Sequence, residues 1–523
     1  MSVPRSSDDL AWLAGELSAI RRELLPAADA RALYLALDQG GTASRAVLFD
    51  SVGRELATAH VPITTRRPAS GRVEHDAREL LQSLQTAVHD VCESPLAAGR
   101  PIVAAGLATQ RSTICCWDRN DGTPLGPALS WADRRNAAWL EQCLGDRSDW
   151  VRELTGLPLS PHYGASKLRW CLDELPAVRL ALRDQRLCMG PLASFLVQGL
   201  CAERNACADP ANASRTQLFD PALLDWSPLL LEAFGIPVAV LPRCVGTTHE
   251  FGTLPIDAFR GVPLRACSGD QSAAIFAFGP PVASTAYVNA GTGAFVQRVL
   301  LDGSGPVPRG LLKSVVYARS DDPGSALYCH EGTVNGAYAA LEWLDGRVGI
   351  DVKRTLGGLS TALADGAIPL LFMNGVGGLG APYWLPDFQS EFVPLRAGMP
   401  AAEGATELQQ VGAVVESIAF LIAVNVHAMH GAAPLQRLLM TGGLAACDYL
   451  CEVLAESTGM TVARPALLEA TARGIAYLAA DQPAQWQAIP LEKSFVPGGR
   501  QAVRERFNLW REAMHARGAL SGS

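Results

Sequence analysis

A hairpin of apolar strands around a turn of small residues occurs twice in this chain. The first copy is LALDQGGTASRAVLFD (35–50), and the second is AYVNAGTGAFVQRVL (286–300). The predicted strands are Leu33–Leu37 and Arg45–Phe49 in the first copy, and Ala286–Asn289 and Phe295–Leu300 in the second. Further strand patterns and long helical stretches follow each copy. The repetition therefore predicts two related halves, formed by internal duplication, with a cleft between them.

Both turns have a composition that suits phosphate binding. Glycines and small hydroxyl residues let backbone N–H groups converge on an anion without hindrance from a Cβ atom. Asp38, just before the first turn, would repel a phosphate, but it can hold Mg²⁺ or its water ligands beside one. The alternative is a structural hairpin in which Asp38 is a local turn acceptor. The hairpin residues alone leave both interpretations open.

Two other glycine-rich segments bear on nucleotide binding. GVGGLG (375–380) has the dinucleotide-binding spacing, but Pro382 and Pro386 follow it and cannot open the helix that this fingerprint requires, so we predict a loop. Residues 437–460 are predicted to form a strand, a Gly442-Gly443 turn and a helix. A glycine pair at such a junction permits close approach of a flat or phosphorylated ligand, and a tight turn between strand and helix is the alternative.

Length and charge limit the class of protein. A chain of 523 residues exceeds what one hydrophobic core supports and predicts two large domains. The net charge of −8 and the lack of a dense Lys/Arg run argue against nucleic acid as a partner. The 13 cysteines contain no CxxC pair, which is typical of reduced thiols. Residues 1–30 are too charged for a signal peptide and predict an amphipathic helix. We expect a cytoplasmic protein with no membrane partner.

Many collinear segments, taken together, resemble the FGGY carbohydrate kinases, and the glycerol kinases among them. The resemblance runs from about residue 33 to the end of the chain. Its segments include LDQGGTASRAVLFD (37–50), RVEHD (72–76), TQRST (109–113), SWADRR (130–135), ASKLRW (165–170), NASRTQLFD (212–220), SGDQSAA (268–274), AGTGAF (290–295), TGGLAACDYL (441–450) and EATARGIAYLA (469–479).

The resemblance implies an α/β fold of two ribonuclease H-like domains, of the actin, Hsp70 and sugar kinase kind, around a central cleft. It implies transfer of the γ-phosphoryl group of MgATP to a hydroxyl of a small polyol or sugar, with ATP and Mg²⁺ as cofactors. We expect an N-terminal helical extension at 1–30, an N-terminal domain at 31–279 with the substrate site and first phosphate loop, and a nucleotide-binding C-terminal domain at 280–523. The Gly-Pro-Pro sequence at 279–281 marks the boundary.

The resemblance also assigns roles to residues. Asp270 corresponds to the general base and Asp38 to the carboxylate near the metal; a helix N-cap is the alternative role for Asp270. The implied substrate residues are Arg111, Ser112, Trp131, His162, Asp270, Gln271 and Phe295. The implied phosphate and nucleotide residues are Gly40, Gly41, Thr42, Arg45, Gly291, Thr292, Gly293, Gly442, Gly443 and Cys447. Without the resemblance, a surface salt bridge for Arg111 and core positions for Trp131 and Phe295 would be the simpler interpretations.

Four positions depart from the glycerol kinases. Ser112 stands where they have Glu, and His162 where they have Tyr. Each mismatched buried hydrogen bond costs about 1–3 kcal/mol, and about 1.4 kcal/mol is tenfold in affinity. Because Ser112 is also shorter, we expect an acceptor longer than glycerol, such as a longer polyol or a ketose. Gly41 replaces a Thr of the phosphate loop, and Cys447 replaces an Asn near the nucleotide.

Two other classes of function remain open on the sequence. One is a catalytically degenerate family member that binds a sugar or nucleotide and acts as a regulator. The other is an actin- or Hsp70-like ATPase, which shares the cleft but has no need of Arg111, Trp131 and Asp270. The partner expected in the leading interpretation is a small polyol or sugar, and a homodimer or higher homo-oligomer is left open.

Overall fold

The computed structural model describes residues 31–256, 261–300, 303, 305, 307–349, 351–363, 368–395, 404–430, 434–467 and 469–518. The helix and extension predicted for residues 1–30 lie outside these ranges.

The strands carry most of the architecture. In chain order they are β1 Leu33–Gln39, β2 Ala43–Asp50, β3 Glu55–Pro62, β4 Glu74–His75, β5 Ile102–Thr109, β6 Ile114–Asp118, β7 Ala128–Leu129, β8 Leu187–Pro191, β9 Cys207–Ala208, β10 Phe219–Asp220, β11 Asp225–Trp226, β12 Arg243–Cys244, β13 Thr248–Leu254, β14 Val262–Gly269, β15 Thr285–Ala290, β16 Ala294–Leu300, β17 Leu312–Tyr317, β18 Leu327–Val334, β19 Leu370–Met373, β20 Glu391–Pro394, β21 Arg437–Thr441, β22 Thr461–Pro465 and β23 Leu491–Phe495.

The α-helices cover the sheets and fill the connections between strands. In chain order they are α1 Ala77–Cys92, α2 Ala137–Leu144, α3 Ser148–Thr155, α4 Gly164–Glu174, α5 Pro176–Arg183, α6 Leu192–Leu200, α7 Pro210–Ala213, α8 Pro228–Phe234, α9 Asp270–Ile275, α10 Tyr338–Val348, α11 Val352–Leu356, α12 Leu359–Ala362, α13 Glu407–Ala428, α14 Asp448–Thr458, α15 Ala470–Ala479 and α16 Gln501–Ala516.

Two large sheets share one design. The N-terminal sheet has the order β13-β14-β5-β1-β2-β3, and the C-terminal sheet has the order β17-β18-β16-β15-β21-β22-β23. In each, a hairpin (β1–β2 or β15–β16) is extended by a third antiparallel strand on one side. On the other side of each hairpin, two parallel strands follow (β5 and β14, or β21 and β22). This shared order confirms the predicted duplication and is the ribonuclease H-like topology expected from the sequence.

Most strands of the small sheets lie in the connection between β5 and β14. A four-stranded sheet, β4-β7-β6-β8, of which only β4 precedes β5 in the chain, packs with helix α4 around a core that includes Ile114 and Met189. This insertion supplies the segments around residues 112, 131 and 162, which were predicted to contact the substrate.

The C-terminal core is built around α13. The helix begins at a capping box, in which the Thr406 side chain accepts from the Gln409 backbone and the Gln409 side chain accepts in return. It is long and apolar enough to cross a membrane by composition, but 83% of that stretch is buried inside the protein. A core helix passes the same test, and α13 packs against α14 and β19.

The two halves touch through α15, which lies against α9 and the N-terminal sheet. Gly474 of α15 faces the backbone of Ala273 in α9 so closely that a Cβ atom at this position would overlap the Ala273 carbonyl. The hydroxyl of Thr471 donates to the Asp270 carbonyl, at 3.3 Å. The helix that carries Asp270 is therefore held by the C-terminal half.

Three other local predictions are confirmed. Residues 375–380 form a loop and open no helix. Residues 437–460 form β21, a 3₁₀ turn at Gly443–Ala446, and α14. All 13 cysteines are free thiols.

Candidate active site

The strand ends of the N-terminal sheet bring the predicted catalytic residues together. β1, β5 and β14 run parallel, and Gln39, Thr109 and Gly269 lie opposite one another at their carboxyl ends. Asp38, Arg111 and Asp270 are each within two residues of this row. Because the carboxyl ends of parallel strands meet at one edge of a sheet, residues far apart in sequence form a single site there.

Asp38 is a buried carboxylate beside other acids. Its Oδ2 accepts a hydrogen bond from Arg45 Nη1 at 3.1 Å, across the hairpin. Arg45 also lies near Glu469, with 3.7 Å between Nε and Oε1. Burial raises the pKa of Asp38 to about 7; Arg45 opposes the shift, and the carboxylates of Asp270 and Glu469 add to it. Two other acids therefore oppose ionisation of Asp38 at this position.

Asp270 is the first residue of α9 and remains partly open to the cleft. Its side chain is 27% exposed, and its Oδ1 accepts the backbone N–H of Gln271 at 2.8 Å. Burial raises the pKa of Asp270, and the positive charge of Arg111 opposes this shift. The carboxylate is thus accessible and keeps hydrogen-bonding capacity for an acceptor hydroxyl, as the predicted general base requires.

Arg111 is buried and does not form the surface salt bridge of the simpler interpretation. Its Nη1 and Nη2 donate to Glu331 of β18 at 2.7 and 3.1 Å, and its Nε lies 3.6 Å from Asp270 Oδ1. Arg215 also pairs with Glu331, and Gln297 Nε2 donates to it at 3.0 Å. Arg111 therefore connects the predicted base to a buried acid of the C-terminal sheet.

The sequence interpretation missed Glu331 and Arg215. Arg215 lies in NASRTQLFD, a segment used for the resemblance without a role for this residue. Glu331 lies in LYCHEGTV, and its side chain is fully buried. A lone carboxylate within a β-strand predicts a buried charge pair, because buried carboxylates are almost always paired.

Ser112 follows Arg111 in the chain and Phe295 contacts its guanidinium group, whereas Trp131 lies beside Gly41 and His162. Ser112 is buried in a left-handed conformation, with φ 63°, and its Oγ has no hydrogen-bond partner among the described residues. Trp131 is 41% exposed, so it is not a core residue. The Phe295 ring centre is 6.0 Å from the guanidinium carbon of Arg111. Gly41 faces Trp131, since a Cβ atom there would lie 3.7 Å from Nε1.

His162 lies beside Trp131. We call Ser112, Trp131, His162 and Phe295 the acceptor wall. The His162 ring centre lies 5.9 Å from that of Trp131, and its Nδ1 is 3.3 Å from Arg134 Nη1. Burial lowers the pKa of His162 well below its usual value, and Arg134 and Lys167 lower it further. An arginine can only donate, so Nδ1 accepts and the proton of the neutral ring is on Nε2. His162 therefore has a free donor where the glycerol kinases have a tyrosine hydroxyl.

Each glycine turn is closed by a backbone hydrogen bond of its own. The first closes through Gly40 N–H to Ala43 O at 3.0 Å, and the second through Gly291 N–H to Gly293 O at 2.8 Å. Thr42 and Thr292 are exposed at the turns. Asn289, before the second turn, donates to Gln271 Oε1 at 3.2 Å, which links this hairpin to the residue after Asp270.

The predicted nucleotide glycines lie beside the second hairpin. Gly442 has φ 87° and ψ 168°, a region open almost only to glycine. A Cβ atom there would lie 2.6 Å from Asn289 Oδ1. Gly443 is exposed. Cys447 is only 5% exposed and belongs to the C-terminal hydrophobic core, and burial raises its pKa to about 11.

The residues at Asp38 fit a metal ion held partly by phosphate. No group of three His, Cys, Asp or Glu side chains in the described ranges could hold a metal by itself. Mg²⁺, however, is commonly bound by one or two carboxylates together with water and substrate phosphates. The carboxylates of Asp270 and Glu469 oppose ionisation of Asp38, and a divalent cation would relieve this repulsion.

Two ribonuclease H-like halves with acidic residues at the cleft between them define an actin- and sugar-kinase-like protein. Two family models match the two halves of the chain. The model of the N-terminal domain of the FGGY family of carbohydrate kinases matches residues 33–277, and the model of the C-terminal domain of this family matches residues 286–481. The chain belongs to the FGGY family of carbohydrate kinases, and it is a phosphotransferase that uses an alcohol group as acceptor.

Individual relatives agree with this assignment. A glycerol kinase of Bordetella parapertussis is 34% identical over 506 residues, which cover 93% of this chain and 97% of the relative. The crystal structure of Plasmodium falciparum glycerol kinase with ADP superposes with a TM-score of 0.81 at 20% identity, covering 93% of this chain and 98% of that one. Xylulose kinase from Rhodospirillum rubrum gives a TM-score of 0.78 at 19% identity, covering 93% and 99%. At these identities the two structures support the fold alone.

Proposed function

We propose that the protein transfers the γ-phosphoryl group of MgATP to a hydroxyl of a polyol or ketose longer than glycerol. The observation that carries the proposal is the position of Asp270. Its partly exposed carboxylate lies between Arg111 and the acidic group around Asp38, at the carboxyl ends of the parallel strands, and the next residue, Gln271, contacts Asn289 of the second hairpin. In this position Asp270 can orient an acceptor hydroxyl and receive its proton late in the transfer.

The surroundings of Ser112 support a longer acceptor. The Ser112 Oγ is buried and unpartnered among the described residues, so its hydrogen-bonding capacity is unused. His162 offers an Nε2–H donor on the same wall. The glycerol kinases have Glu at the position of Ser112 and Tyr at the position of His162. Ser112 is smaller than Glu, and the His162 ring offers a different hydrogen-bonding group from the Tyr hydroxyl. Trp131 and Phe295 supply flat apolar faces for the carbon–hydrogen edges of the acceptor.

The phosphate end of the site involves both turns. The backbone N–H groups around Gly41, Thr42 and Thr292 would bind the triphosphate, and Gly442 and Gly443 would border the nucleoside. Asp38 would hold Mg²⁺ directly or through its waters. When bound, Mg²⁺ neutralises phosphate charge as it develops. Closure near residue 279 would exclude water from the transfer.

A coupled ADP-release assay over a panel of polyols and ketoses tests this proposal. We expect turnover that depends on one small acceptor and exceeds the turnover with glycerol. Substrate-independent hydrolysis would indicate an ATPase instead. Lack of turnover with every acceptor, together with measurable sugar or nucleotide binding, would favour the degenerate regulator. Glycerol phosphorylation with an ordinary kcat and a low KM would contradict the longer acceptor.

A cytoplasmic location and action on a small molecule are part of the same proposal. We also propose a domain boundary near residue 279; the interval between the two family matches, which end at 277 and begin again at 286, supports it. The oligomeric state can be measured directly by light scattering of the full chain.

A further inference from the structure

Lys167 is a fully buried lysine in the first turn of α4, beside the acceptor pocket. Among the described residues, no carboxylate pairs with its ammonium group. Asp133, which acts on it electrostatically, pairs instead with Arg135 at 2.7 Å. A buried charge without a counter-ion is strongly unfavourable unless its hydrogen bonds are fully made. The position of Lys167 therefore calls for a specific role.

The ammonium group makes three hydrogen bonds, all to backbone carbonyls. Nζ donates to Ser112 O at 2.7 Å, to Ser130 O at 2.9 Å and to His162 O at 2.8 Å. Burial lowers the pKa of Lys167 well below its usual value, but three carbonyl acceptors require the three N–H donors that only a protonated lysine has. All of its donors are therefore used, and none remains for a substrate.

The three carbonyls belong to three different segments, and each segment carries a residue of the acceptor wall. Ser112 and His162 are wall residues themselves, and Ser130 directly precedes Trp131. Ser112 has φ 63°, which is an unfavourable conformation for a residue with a side chain. Its carbonyl is fixed by Lys167, so the contact holds the backbone in a conformation that it would not keep alone.

We propose that Lys167 is the positioning residue of the acceptor pocket. Its three hydrogen bonds hold the segments of Ser112, Trp131 and His162 in a fixed relative position. The proposal rests on the kinase function given above. Lys167 touches no reacting atom and acts only through these carbonyls. Its loss should therefore affect recognition of the acceptor far more than recognition of ATP.

Hydrogen exchange of the full-length protein tests the structural part of this proposal without any assay of activity. In Lys167→Met, the backbone amides in peptides that cover residues 112–113, 130–132 and 162–163 should exchange faster, because the hydrogen bonds from Nζ that hold these segments together are lost. Arg506→Met is the matched control: Arg506 is a buried cation paired with Glu416 at 2.6 Å in the C-terminal core. Unchanged exchange of the three peptides in Lys167→Met would overturn the proposal.

Steady-state kinetics tests its functional part. Lys167→Met should raise the acceptor KM by about tenfold or more, while the KM for ATP stays within about twofold. Arg506→Met should lose thermal stability but keep the acceptor KM. Lys167→Gln retains two N–H donors and should give an intermediate acceptor KM; it also serves if Lys167→Met does not fold. Equal losses for ATP and acceptor, or the same kinetic pattern in Arg506→Met, would overturn the positioning role. Failure of the wild type to use any acceptor would instead contradict the proposed function, and the exchange experiment would still decide the role of Lys167.

Discussion

Glu331 of the C-terminal sheet accepts hydrogen bonds from both terminal nitrogens of Arg111, at 2.7 and 3.1 Å. Arg111 belongs to the N-terminal half, and its Nε faces Asp270. The burial of Glu331 alone would raise its pKa, but Arg111 and Arg215 hold it below the usual value. A buried ion cluster therefore joins the two halves directly behind the predicted base.

Replacement of Glu331 by Gln should leave Arg215 without a carboxylate partner among the described residues, and Arg111 with Asp270 alone, at 3.6 Å. Breaking a buried pair in this way costs about 3–5 kcal/mol, so the midpoint of denaturant unfolding should fall and the acceptor KM should rise. Glu416→Gln is the control, because it breaks the buried pair with Arg506 away from the cleft. Equal acceptor KM values in the two variants would show that the cluster has no part in the site.

Asp270→Asn should lower kcat by about 10²–10⁴-fold, as expected for loss of a general base. Asn can still accept the backbone N–H of Gln271, so nucleotide binding, measured by calorimetry with ADP, should persist. Asp220→Asn removes an acid that only accepts backbone N–H groups in its own turn, and should leave turnover unchanged. Wild-type turnover in Asp270→Asn would exclude this residue as the base.

Asp38→Asn should raise the Mg²⁺ concentration needed for half-maximal turnover by about tenfold or more. The change removes the buried carboxylate that Asp270 and Glu469 surround. Asp50→Asn, at the other end of the same hairpin, alters an acid that binds Arg54 and local backbone N–H groups. If both variants show the wild-type Mg²⁺ dependence, Asp38 does not act on the metal. Chelation with EDTA should stop turnover of the wild type.

Gly442→Ala should raise the KM for ATP by about tenfold, because forcing a side chain into this backbone region costs about 1–3 kcal/mol. The added methyl group would also strike the hairpin at Asn289. Gly346→Ala, inside α10, meets no atom within 4 Å and should leave the KM for ATP unchanged. An unaltered KM for ATP in Gly442→Ala would remove this turn from the nucleotide site.

The double change Ser112→Glu with His162→Tyr should restore the glycerol-kinase pattern. Because each of the two regained hydrogen bonds is worth about 1–3 kcal/mol, kcat/KM for glycerol should rise by about 30-fold or more. The preferred longer acceptor should lose efficiency at the same time. An equal rise in kcat/KM for glycerol and for the longer acceptor would mean that residues 112 and 162 do not determine which acceptor length is preferred.

The sequence predicted the two hairpins because alternating apolar residues and small turn residues are local signals. It also predicted Asp38 and Asp270, which stand in distinctive segments. It could not predict that Glu331 pairs with Arg111, since the two residues are 220 positions apart and only the packing of the two sheets brings them together. Lys167 was visible in ASKLRW, but the three carbonyls that it binds have no sequence signature. Cys447 shows the opposite case, because a position aligned with a nucleotide contact has its side chain in the core.

The backbone contact between Gly474 and Ala273 has a mechanical meaning. At Gly474 no side chain separates α15 from α9, and the two backbones are in direct contact; around this point Ala472 and Ile475 share one core cluster with Ala273 and Ile275. Asp270 begins α9, and Glu469 directly precedes α15. We therefore expect a displacement of α15 to be passed to the first residue of α9, so that the position of the Asp270 carboxylate depends on the C-terminal half.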